Sequence, residues 1–129
     1  MTSGQTMNRA RFVKHRDKMI LHFDLSGLGI EEARQVAQYV MGMVKRMPKS
    51  SVLTLVDVSH VQYNDDFRAL SAELAQHNKP YVLAGAVIGV EGWRKMLFWA
   101  TTKVTGRDNL KLFEKVEEAK EWLVAYRAG

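Results

Sequence analysis

The sequence has no cysteine. That absence excludes disulfides, thiolate catalysis and zinc–thiolate sites, and it fits a reducing, cytoplasmic compartment. Proline occurs only at Pro48 and Pro80, each where a helical pattern stops. Long apolar runs are lacking too. The longest, 81–90, has ten residues and is too short to span a bilayer. The opening MTSGQTMNRARF has none of the apolar core that a signal peptide needs. Linkers, internal repeats and low-complexity tracts are also missing, so one domain is expected over 9–129, behind a disordered leader at 1–8. Histidines are few: His15, His22, His60 and His77 stand too far apart for metal-ligand spacing, and neither metal nor cofactor is expected.

What is present belongs to a globular chain. Hydrophobic residues make up 47% of the 129 and charged residues 26%. Nineteen Lys and Arg against fourteen Asp and Glu leave a net charge of +5. The densest cations are Arg9, Arg11, Lys14, Arg16 and Lys18, and elsewhere the two signs alternate as on a solvated helix face. Nucleic-acid binders concentrate charge on one face and interleave aromatics with it, so nucleic acid is not expected as a partner.

Along the chain, 10–14 and 18–25 read as two short strands of an antiparallel hairpin turning at His15, Arg16 and Asp17. Ser26-Gly27-Leu28-Gly29 breaks the pattern. Ile30, Ala33, Ala37, Val40, Val44 and Met47 then form one helical stripe, with Glu31 and Glu32 at its start and Lys45 and Arg46 at its end. Val52 to Val56 is an unbroken apolar run closed by Asp57, as in a parallel strand covered on both faces. Asn64 is a good N-cap for the next helix, Asp65 and Asp66 suit its first turn, and Phe67, Leu70 and Leu74 make its buried stripe. A strand is expected over 81–88, where Gly85 marks a close approach or a bulge, then a helix over about 93–104. A short strand at 110–113 and a helix carrying Val116, Ala119, Trp122, Leu123 and Tyr126 on one face close the chain. The order β-β-α-β-α-β-α-β-α predicts an α/β fold: a mixed β-sheet with an N-terminal antiparallel hairpin and four helices packed on it.

Three stretches hold candidate function. Gly27 and Gly29 partly match a dinucleotide fingerprint, but Glu32 occupies its third glycine position with a bulky anion, which leaves a glycine turn feeding a helix. The turn 57–66 lies where open α/β sheets gather ligands, and Asp57, Ser59, His60, Asn64, Asp65 and Asp66 are its binding candidates. An acid–base cluster of Asp57, His60, Asp65 and Asp66 is the weakest use of that turn, and no catalytic residue is assigned. Trp93, Met96, Leu97, Phe98 and Trp99, with Arg94 and Lys95 between them, give a helix that is apolar on nearly every face. Such a helix forms core, a dimer face, a lid over an apolar ligand, or a membrane-surface element, of which core plus an oligomer contact is favoured.

The strand TLVDVSHV, the helix start NDDF, Val87-Ile88-Gly89 ahead of Trp93, and the ending LKLFEKVEEAKEWL resemble the SpoIIAA-like family, near the STAS domains of anti-sigma-factor antagonists. The resemblance covers about 11–126, and Phe113, Glu118-Ala119 and Trp122-Leu123 are its most specific residues. It implies a mixed sheet, a non-enzymatic regulatory role, and a phosphorylated serine at the start of the helix after the central strand. That position falls at about Asp66 or Phe67, with Ser59 upstream and Ser71 a turn inside the helix, so the phosphorylation switch is not carried over. The family's likeness to lipid-binding CRAL-TRIO domains supports the helix at 93–99 as a ligand lid. The expectation is a non-enzymatic module acting on a protein partner through 57–66. The alternative is a carrier or sensor of an apolar small molecule or lipid, and a homodimer is expected under either.

Overall fold

The computed structural model describes residues 3–92, 94–96 and 109–127. The chain forms a five-stranded mixed sheet in the order β1-β2-β3-β4-β5. β1 (Ala10–His15) and β2 (Lys18–Asp24) are the antiparallel hairpin, with His15 opposite Lys18. Its turn is therefore only Arg16-Asp17, one residue tighter than the sequence suggests, and Arg16 takes a left-handed φ of 56°. β3 (Val52–Asp57), β4 (Val82–Ile88) and β5 (Leu110–Phe113) follow β2 in parallel.

Before the hairpin, α1 (Ser3–Asn8) is a short helix where a disordered leader is expected. It packs on β1 and on α2 (Ile30–Val44), burying Thr6, and Arg9 N–H bonds the Thr6 carbonyl at 3.1 Å. Six residues without an apolar stripe give no periodic signal; tertiary contact supplies this helix. α2 stops at Val44, three residues short of the predicted Met47. There the backbone tightens into bonds from Arg46 to Met43 and from Met47 to Val44 before Pro48.

α3 (Asp65–Asn78) is capped as the sequence predicts: the Asn64 side chain accepts from Phe67 N–H at 2.9 Å. α2 and α3 each connect neighbouring parallel strands running in one direction across the sheet. Right-handed crossovers then place both on the same face. That face holds Leu21, Phe23, Val36, Val40, Phe67 and Leu70 in one buried cluster. α4 (Val116–Ala125) covers the other face, where Ile20, Leu53, Leu55, Ala84, Ala86 and Leu123 pack together. β2 is thus covered on both sides at Ile20 and Leu21.

The hairpin turn is tied to α4. His15 Nε2 lies 2.6 Å from Glu121 Oε2, Arg16 donates to both oxygens of the same carboxylate, and Lys18 Nζ donates to the Val124 carbonyl at 2.9 Å. Hydrogen bonds from Arg16, then His15, hold the Glu121 carboxyl down to about 2.

The helix expected over 93–104 lies outside the described residues except at 94–96, which are helical. Besides that segment, four helices are seen among the described residues, α1 being one the sequence did not predict. None of them is long and apolar enough to cross a membrane.

Candidate functional site

The site builds up from the ends of three parallel strands. Asp24 and Asp57 are paired in register where β2 and β3 finish. Each carboxylate accepts from the backbone N–H two residues ahead, Ser26 and Ser59 respectively, at 2.8 Å. These matched turns bend both chains away from the sheet. Backbone bonds then hold the loops together: Leu25 N–H to the Asp57 carbonyl, Gly27 N–H to Ser59, and Val58 N–H to Ile88. Gly27 serves this turn with a φ of 67°, a structural duty that accounts for the first glycine of the partial fingerprint, while Gly29 is the N-cap residue of α2.

The predicted site residues have local duties in this geometry. Asp57 spends a carboxylate oxygen on its own turn. Ser59 is wedged against Gly89, whose φ of 91° and lack of a side chain permit the contact. His60 is exposed in a left-handed conformation at φ 59°. Asn64 is the α3 cap, Asp65 pairs with Arg68 at 2.8 Å, and Asp66 is exposed in the first turn. Asp57, Asn64 and Asp65 are thus each engaged in local structure, and the described residues contain no group of three or more His, Asp and Glu that could hold a metal. Of the apolar candidates, Met96 is exposed; Trp93, Leu97, Phe98 and Trp99 lie outside the described residues.

What the turn does build is an apolar cavity. Val58, Val61 and Tyr63 line a space of about 130 Å³ between α3 and the sheet. α3 supplies a wall from Phe67, Ser71, Leu74, Ala75 and Asn78, spaced four, three, one and three along one helical face. Thr54 and Val56 of β3 and Gly85 and Val87 of β4 form the floor. Small groups line it on both sides, with Ser71 and Ala75 on α3 and Gly85 in the sheet. Gly85 is closely packed: a Cβ there would lie 2.6 Å from Leu110 Cδ2 and 2.8 Å from Thr54 Oγ1, so those side chains would have to shift. This is the close approach that its place in an apolar strand predicts. Arg94, half-buried just beyond β4, is the only charged residue among the described lining residues.

On the opposite face, His22 is partly buried near the end of β2. Burial, then the nearby Lys120, pushes its imidazole below the ordinary histidine range, against the pull of Asp24 and Asp57.

Comparison with known proteins returned no match among family models, curated proteins or solved structures.

Proposed function

We propose that this chain is a non-enzymatic binding domain of the SpoIIAA-like/STAS kind that takes an apolar small molecule between α3 and the sheet. The entry hairpin followed by parallel β-α-β-α-β units supports the family reading, because that order is what the resemblance implies. The cavity carries the ligand reading: small-molecule sites are concave and mostly apolar, with a few placed polar groups. Here the polar groups in the lining are Thr54, Ser71, Asn78, Tyr63 and Arg94.

The test is a thermal melt with toluene, a neutral apolar probe. Toluene a few-fold above its dissociation constant raises Tm by about 2–5 °C. Ser71→Phe, which places a ring inside the cavity, abolishes that rise. No rise at the solubility limit of toluene, or an equal rise in Ser71→Phe, sinks the reading.

The exposure of His60, Asp65 and Asp66 favours a second reading, a regulatory module that binds a protein partner through the loop 57–66. On that reading, Asp65→Lys with Asp66→Lys loses partner crosslinking. The domain stays folded, because exposed acids at a helix start contribute only about 0.3–1 kcal/mol each. Crosslinking equal to that of the unmodified chain rejects it.

A further inference from the structure

Among the described residues, β1 is an edge of the sheet, with a neighbouring strand only on its β2 side. A two-residue hairpin closes on a pair that exchanges both backbone bonds, and bonded pairs then recur at every second residue. With His15 opposite Lys18, the residues of β1 that bond inward are His15, Val13 and Arg11. The bond from Asp24 N–H to the Arg9 carbonyl continues the same alternation. The N–H and C=O groups of Phe12 and Lys14 therefore point outward, and no backbone bond from a described residue meets them. Such an edge is a template for one more strand, and β1 has neither a bulge nor a proline to blunt it.

Charge narrows the occupant. Residues 1–16 include no acid. Arg9 is engaged with Asp24 at 3.4 Å and Arg16 with Glu121, whereas Arg11 and Lys14 are exposed and pair with no carboxylate among the described residues. A second copy of β1 would set these cations beside their own kind, and like charges across a strand pair are destabilising. The same charge attracts an acidic strand. Because Arg11 and Lys14 are separated by Phe12 and Val13, they project from opposite faces of the sheet, and the two residues between them are half-buried. We propose that β1 is a docking edge for an extended acidic peptide, which adds a strand beside Phe12 and Lys14 and sets one carboxylate against Arg11 and another against Lys14. No residue of β1 lines the cavity under α3, so this edge stands independently of the ligand reading.

Fluorescence polarisation on the full chain tests it with the labelled peptide Thr-Val-Glu-Val-Thr-Glu-Val-Thr and with its glutamine and lysine counterparts, at about 50 mM salt so that screening stays weak. The acidic peptide binds at least about threefold tighter than the glutamine one, and the lysine one binds more weakly still. Arg11→Glu with Lys14→Glu reverses that order, and the gentler pair Arg11→Gln with Lys14→Gln removes the preference. Amide hydrogen exchange locates the peptide: Phe12 and Lys14 gain protection when the acidic peptide is added. Equal affinity for the acidic and glutamine peptides, or an unchanged order in the charge-reversed chain, overturns the assignment of charge. Binding that leaves Phe12 and Lys14 exchanging as before overturns strand addition. Protection of those amides that rises with protein concentration in the absence of peptide gives the edge to a second copy and overturns the proposal as well. Failure of all three peptides to bind rejects it outright.

Discussion

Gly89→Ala is expected to lower the melting temperature by about 10–15 °C, the loss of about 3 kcal/mol in a domain of this size. Two effects add. The backbone at Gly89 has φ 91°, where a Cβ costs about 1–2 kcal/mol. That Cβ would also meet Ser59, 2.3 Å from Oγ, 2.5 Å from the backbone nitrogen and 2.7 Å from Cα. The hydroxyl can swing aside, but the backbone cannot. It is held by the Ser59 N–H bond to Asp57 and by Gly27 N–H on the Ser59 carbonyl. The loops after β2, β3 and β4 are therefore expected to loosen as a unit. Because Gly89 and Val58 both line the cavity, toluene binding should weaken with them. Differential scanning calorimetry checks the first outcome; a melting temperature within about 3 °C of the unmodified chain would refute the argument from strain.

The second large effect lies on the other face. Leu55→Ala is expected to cost about 3–5 kcal/mol, read as a shift in the midpoint of urea unfolding with an unchanged slope. Leu55 is fully buried at the centre of β3, between His22 and Ala86 in register. Its cluster is rich in alanine, with Ala84, Ala86 and Ala119 around it, so little can move in to fill the void. The cost should therefore lie toward the upper end of the range for leucine truncation. Because Leu55 faces α4 and the cavity faces α3, toluene affinity in the folded fraction should be preserved. A midpoint shift equivalent to less than 1 kcal/mol would show that the α4 face is not the tightly packed layer described here.

The contrast between these positions shows what local sequence can and cannot convey. α3 was legible to its first residue, because Asn64, Asp65 and Asp66 perform their chemistry within one turn of the chain. The central strand was legible because four consecutive residues, Val52 to Leu55, are buried, and only a sheet covered on both faces asks for that. α1 was not legible, since its reason to be helical lies in α2 and β1. The acids of the turn 57–66 drew attention because charge is visible in a sequence. The structure uses Asp57 for a turn and Asp65 for an ion pair, and turns Val58, Val61 and Tyr63 toward the cavity instead. No periodicity announces a cavity. Its lining joins Ser71 and Ala75 on one element with Gly85 on another, and the one forewarning was a glycine inside an apolar strand.

The most direct measurement of the central claim is an NMR titration of the ¹⁵N-labelled full chain with toluene, followed residue by residue. The account predicts shifts concentrated at Val61, Tyr63, Phe67, Ser71, Gly85 and Val87, with His15, Arg16 and Glu121 at the far hairpin latch unmoved. Shifts scattered over the surface, or confined to the α4 face, would contradict a binding cavity between α3 and the sheet.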